Sequence, residues 1–183
     1  MFKKIFVLTL CALMLMTAAL AEGFTWTAPA PGDPFTLEYD MGLCIDGTWF
    51  PIVNDFDGGL HQLLGEELDM MAAPSCAFKG DDKEFVFDGM SIYTNPLGDM
   101  DVWMEAYITG GDWTTARGIG IGATVDELIA AYGENYYHEG GNEDVMTYSI
   151  SGKPNDYASP CTIFTLEDGA VIAIDIYYNT NPL

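Results

Sequence analysis

Positive charge is what this sequence most conspicuously lacks. Its 183 residues include six Lys or Arg against 28 Asp or Glu, a formal net charge of −22. Binding to a phosphate backbone depends on Lys and Arg neutralising it, so nucleic acid and anionic membrane surfaces are excluded as partners. The acidity serves solubility outside the cell, with a cationic partner or calcium as the functional alternative. Histidine is nearly absent too: His61 and His138 lie far apart and no C-x-x-C occurs, so nothing points to zinc. There is no G-x-S-x-G elbow, and no cysteine has an obvious histidine partner. A glycosidase needs two carboxylates about 5–9 Å apart in a cleft, which abundant acids alone do not establish. The expectation is a non-enzyme, with no catalytic residue, cofactor or metal ligand assigned.

Long apolar runs are also missing beyond the N-terminus. Lys3 and Lys4 precede an apolar stretch from Ile5 to Met16, followed by Ala19-Leu20-Ala21 as an A-x-A cleavage site. The stretch is shorter than the roughly 20 residues a membrane span needs. Cys11 is preceded by Leu10 inside that stretch and does not fit a lipoprotein site. Residues 1–21 therefore read as a signal peptide cleaved after Ala21, giving a secreted, extracellular and bacterial protein with no membrane span. The remaining 162 residues carry four bases (Lys79, Lys83, Arg117, Lys153) against all 28 acids. Cys44, Cys76 and Cys161 survive cleavage; one disulfide is allowed and the pairing is open.

Residues 22–34, rich in Pro, Ala, Thr and Gly, read as an extended leader off the domain. From Phe35 to Ile45 apolar residues alternate, predicting a strand broken near Gly42. Asp46-Gly47, Asp88-Gly89 and Asp168-Gly169 each mark a hairpin, because Asp-Gly tolerates the positive φ of a tight turn. Asn54 to Gly65 reads as a helix, with Asp55 as N-cap and Gly65 as C-cap. Asp55, Asp57 and Glu66 also have calcium-loop spacing, but the glycine that loop needs is Leu60, so a helix start is preferred. Met70 to Pro74 reads as a loop and Ser75 to Phe78 as a short strand. Further strands are expected at Glu84–Phe87, Met90–Thr94, Asp101–Ile108, Val145–Ile150, Cys161–Leu166 and Val171–Tyr178.

Thr115 to Glu134 is the most legible segment. Gly118, Gly120 and Gly122 lead into a capping box of Thr124 and Glu127. Val125, Leu128, Ile129 and Tyr132 then make one apolar stripe, and Gly133 ends the helix. The glycine spacing does not fit a nucleotide loop, and no P-loop lysine follows.

The two halves match in order. Leu64-Gly65-Glu66 answers Tyr132-Gly133-Glu134, Phe85-Val86-Phe87 answers Met146-Thr147-Tyr148, and Glu105-Ala106-Tyr107 answers Asp175-Ile176-Tyr177. That agreement suggests duplication. The expected fold class is α+β: two tandem helix-plus-antiparallel-sheet repeats (35–112 and 113–183, one compact unit), with helices packed on one face of a curved sheet.

The run G-I-G-I-G-A-T-V-D-E-L-I-A-A-Y-G resembles the helix signature of the SmpA/OmlA (BamE-like) repeat. Tandem copies of a related unit build the beta-lactamase inhibitory protein. With S-C-A-F-K-G-D-D-K-E-F-V-F and I-Y-T-N-P, the chain is also similar to secreted proteins and lipoproteins of gut Firmicutes. The resemblance spans roughly Phe50 to Tyr178 and implies a helix-plus-antiparallel-sheet fold and protein binding. It carries over no binding residues, and the missing lipobox cysteine departs from the lipoprotein relatives.

Strand alternation places Asp101, Trp103, Glu105 and Tyr107 opposite Val102, Met104, Ala106 and Ile108. Trp103, Glu105 and Tyr107, echoed by Asp175 and Tyr177, are thus the candidate partner-binding residues. Aromatics among acids suit a basic protein surface or a glycan. The loop Ser151 to Pro160, with Lys153 and Tyr157, is a second candidate and otherwise a plain connection. The expected function is a secreted non-catalytic binding or inhibitory module for an extracellular protein. The alternatives are a cell-envelope structural or assembly protein, a carbohydrate-binding protein and a hydrolase.

Overall fold

A computed structural model describes residues 26–156 and 158–179; the expected signal peptide at residues 1–21 and Tyr157 lie outside the described residues. Among the described residues there are three α-helices: α1 (Leu37–Asp40), α2 (Leu60–Leu64) and α3 (Val125–Tyr132). The strands are β1 (Gly42–Ile45), β2 (Thr48–Pro51), β3 (Asn54–Asp55), β4 (Asp69–Pro74), β5 (Asp81–Phe87), β6 (Met90–Leu97) and β7 (Met100–Ile108) in the first half. The second half adds β8 (Val145–Ser149), β9 (Cys161–Glu167) and β10 (Ala170–Tyr177).

Strands β1 and β2 form a separate hairpin, while the others build one antiparallel sheet in the order β4-β5-β6-β7-β10-β9-β8. β7 is the hub. It pairs with β6 along its length, with β10 through Glu105–Ile108, and with β3 at Val102 and Trp103. The triads matched in sequence face each other here: Tyr107 pairs with Asp175, Ala106 with Ile176 and Glu105 with Tyr177. The other matched pair, in β5 and β8, sits two strands out on either side.

This architecture corrects the α+β expectation. Among the described residues strand makes up 42% and helix, 3-10 turns included, 15%, and no layer of helices covers the sheet. The physical reason is helix length. With four, five and eight residues, the helices span one to two turns and bury only a side chain or two each: Leu60 from α2, Leu128 and Tyr132 from α3. The inner face of the sheet, with Phe85, Ile92, Trp103, Ala106, Ile174 and Phe164, is closed largely by non-helical segments. These are Met41, Leu43 and Ile52 at the β1–β2 hairpin, Phe56 on a 3-10 turn, and Ile119 in the glycine lead-in.

Several local expectations change as well. Leu37–Asp40 is helical rather than extended, because Thr36 caps it and the Asp40 carboxylate accepts from the Thr36 N–H at 2.7 Å. Met70 to Pro74 is an edge strand and Ser75 to Phe78 a turn region. Asp55 belongs to β3 and makes no side-chain cap. Gly65 does close α2 at φ 83°. The Thr124–Glu127 capping box is present in both directions, and Gly133 stops α3 at φ 81°. The two-residue turns of β1–β2 and β9–β10 put Asp and Gly both at positive φ.

Residues 26–34 lie against the domain. Trp26 stacks on Trp49 with ring centroids 4.8 Å apart, and its indole N–H donates to the Tyr39 carbonyl. Cys44, Cys76 and Cys161 are all free thiols.

Candidate functional site

With the inner face closed, the outer face of the sheet is where function is to be sought. Its side chains line up across the strands because directly paired residues share a face. One row runs Met71, Glu84, Tyr93, Glu105, Tyr177, Cys161 and Ser149 from β4 to β8. The next runs Asp69, Val86, Ser91, Tyr107, Asp175, Ile163 and Thr147. Cys161, Ser149 and Thr147 at the β8–β9 end are buried, whereas Tyr107 at the centre is 40% exposed.

Four of the five candidate residues meet on this face. Glu105, Tyr107, Asp175 and Tyr177 occupy adjacent positions on the two central strands. The fifth does not join them: Trp103 is fully buried in the core. A β-bulge is the cause. The β6–β7 register shifts between Tyr93 and Thr94, so that Tyr93 opposes Glu105 while Thr94 opposes Trp103, leaving Met104 as the extra residue. One inserted residue reverses which side chains point inward. A second bulge, between Val171 and Ala173, likewise leaves Ile172 exposed while Ile174 and Ile176 stay inside.

Asp82, Glu84, Tyr93 and Asn95 complete the surface and were not singled out by sequence. The Tyr93 hydroxyl donates to Glu84 Oε1 at 2.8 Å, and Asn95 Nδ2 donates to Asp82 Oδ1 at 2.7 Å. The spacings Asp82-x-Glu84 and Tyr93-x-Asn95 carry the period-2 signal. What sequence lacks is the register that sets them beside Glu105.

The electrostatics follow from acids crowded with no base paired to Glu105 or Asp175 among the described residues. Burial pushes Asp175 up to about 7, and the neighbouring Glu105 charge adds to the shift. Burial and the Glu84 charge raise Glu105 in the same way. Asp175 Oδ1 is buried with no hydrogen-bond partner. Burial, reinforced by the bond to Glu84, raises the Tyr93 phenol to about 12. The Cys161 thiol rises to about 12 for want of solvation and because of the Asp175 charge, which makes it a poor nucleophile. The nearest base along β5, Lys83, is held by Asp101.

A cavity of about 210 Å3 opens beside this row. Its walls include Asp82, Tyr93, Asn95, Glu105, Tyr177 and Tyr178. No described residue of the Ser151–Pro160 loop is among its walls. There, Ser159 is buried and its hydroxyl accepts from the Ser151 N–H, which fits a folded connection.

Elsewhere, His61 lies between Asp57 (2.9 Å) and Glu67 (3.0 Å), with its ring stacked on Phe56. Asp57, one of the residues with calcium-loop spacing, is thus turned towards a histidine. Among the described residues, no group of three or more His, Cys, Asp or Glu side chains is arranged to hold a metal ion. No helix among them is long and apolar enough to cross a membrane. Comparison with models of known protein families finds no match, and neither does comparison with curated proteins or with solved structures.

Proposed function

We propose that the chain is a secreted, non-catalytic binding protein that takes a protein partner on the outer face of its sheet. The observation that carries this reading is the central patch of Glu105, Tyr107, Asp175 and Tyr177, on two paired strands, with no base bound to its acids among the described residues. Tyrosine supplies contact area at low entropic cost, and unpaired carboxylates select for a partner of opposite charge. Strands position such side chains more firmly than loops do. The mirrored placement of the matched triads about the β7–β10 pair supports a duplicated origin for this face. Secretion rests on the Lys3-Lys4, apolar-run and Ala19-Leu20-Ala21 pattern alone; a protein recovered from culture medium with an N-terminus other than Glu22 would refute the cleavage site.

The binding test is capture from the producing culture's secretome by the immobilised wild-type chain, repeated with two variants. Tyr107→Ala removes the exposed ring, and Ser91→Arg places a bulky cation beside it in the same row. A stoichiometric protein bound by wild type and lost with both variants supports the reading. A partner retained by both, or recovery of glycans alone, overturns it.

A further inference from the structure

We infer that the cavity beside β5, β6, β7 and β10 is an anchor pocket for a cationic side chain, lysine or arginine, supplied by the protein partner. This deepens the proposed binding face and rests on it. The pocket is a built recess with mixed walls: tyrosines at Tyr93, Tyr177 and Tyr178, a carboxylate at Glu105, and the hydrogen-bonded Asp82–Asn95 pair. None of the residues lining it is basic.

Glu105 is the residue that most needs a partner. It makes no hydrogen bond or ion pair among the described residues, yet it is half-buried next to Glu84 and Asp175. Glu84 is engaged by the Tyr93 hydroxyl, and Asp82 by Asn95, so both keep their places while Glu105 faces the cavity. Desolvated like charges raise each other's cost, and one cation set among them relieves it. The aromatic walls add favourable contact with an ammonium or guanidinium group through their ring faces. An acidic or neutral side chain would gain neither interaction. Because Glu105 and Asp175 hold their protons above the ordinary carboxylate range, a bound cation should drive proton release, and binding should strengthen as pH rises.

The test titrates the full chain with n-butylammonium and, separately, n-butylguanidinium at fixed ionic strength, with n-butanol as the uncharged control. Side-chain carboxyl carbon resonances provide the readout. A saturable shift at Glu105 and at the neighbouring Glu84 with either cation, absent with butanol, supports the pocket when the affinity followed at Glu84 is weakened at least about tenfold by Glu105→Gln. Which cation binds more tightly tells lysine from arginine. Glu105→Gln relieves a desolvated charge, so loss of folding does not confound the comparison. A shift that fails to saturate, or is matched at the exposed Asp126, is charge screening and overturns the pocket, as does equal binding by Glu105→Gln.

The captured partner separates the two readings. If it is lost with Tyr107→Ala but kept with Glu105→Gln, the binding face stands and the anchor pocket falls. If the cations bind at Glu105 but no captured protein depends on Tyr107, the pocket stands as a cation site and the protein-binding face falls, along with the partner as the source of the cation.

Discussion

At the scale of single residues, one arginine holds together segments far apart in the chain. Arg117 is the only arginine in the sequence, and its side chain is buried. Its Nε donates to Asp40 Oδ1 at 2.6 Å and its terminal nitrogens reach Asp40, the Ala131 carbonyl and the Pro34 carbonyl. The guanidinium also lies over the Tyr132 ring at 4.9 Å. It thereby ties the N-terminal segment and α1 to the end of α3. Removing one member of such a pair strands the other charge without water. Arg117→Met should therefore cost about 3–5 kcal/mol in urea unfolding, and the double variant Asp40→Asn, Arg117→Met should recover a large part of that loss. If the double variant is no more stable than the single one, the stranded Asp40 charge is not the cause.

At the scale of elements, the hairpins and α3 were legible because each is specified by adjacent residues. Asp-Gly pairs fix the turns, and Thr124 with Glu127 fixes a helix start within four positions. What escaped depends on partners distant in sequence. Met70 to Pro74 lacks a strand pattern, since every one of its residues is exposed, and it is extended only because β5 offers it a ladder. Phe35 to Met41 alternates like a strand, yet Asp40 is drawn into a buried pair 77 positions away, and the chain turns helical around it. The same limit explains the candidate site. Glu105, Tyr107, Asp175 and Tyr177 come together as strand alternation implies, while a bulge that no local signal announces turns Trp103 inward. The amphipathic stripe of α3 does specify a helix, but a layer of helices over the sheet requires lengths that α1 and α2 do not reach.

Two element-scale outcomes follow from these contacts. Thr124→Ala removes the cap of α3 and should lower stability by about 1 kcal/mol, measured by chemical denaturation. Gly42 is more severe. A Cβ there would lie 2.4 Å from the Phe50 carbonyl oxygen and 2.7 Å from the Trp49 ring, across the β1–β2 pair. The backbone oxygen cannot rotate away, so Gly42→Ala should cost about 1–3 kcal/mol and disturb the Trp26–Trp49 stack. Unchanged tryptophan fluorescence and unchanged stability in that variant would mean the hairpin shifts freely.

At the scale of the whole molecule, an excess of acids makes stability a function of pH, and the sign differs from group to group. Burial acts to lower the His61 pKa, but bonds from Asp57 and Glu67 outweigh it and leave it raised. Its contribution is thus complete below its unfolded value of 6.5 and lost as pH climbs through the folded one. Glu67 is lowered by its bond from His61, so its contribution is present above 4.5 and lost as pH falls through the folded value. Asp175, raised from 3.8 to about 7, takes up its proton on folding and favours the folded state most below 3.8. That advantage is spent by about pH 7. Self-repulsion at a formal charge of −22 also grows as carboxylates ionise. Together these effects place maximum stability between about 4.5 and 6.5, below neutrality.

Asp175→Asn isolates one contributor, because it keeps the shape of the side chain and removes the titration. Relative to wild type, the variant should gain about 2–3 kcal/mol between pH 5 and pH 8 in urea unfolding. A difference that stays constant across that range would show that Asp175 ionises as readily in the folded sheet as in the unfolded chain. The crowding of acids around Glu105 would then lose its energetic basis, since that basis requires both carboxylates to be desolvated in the same place.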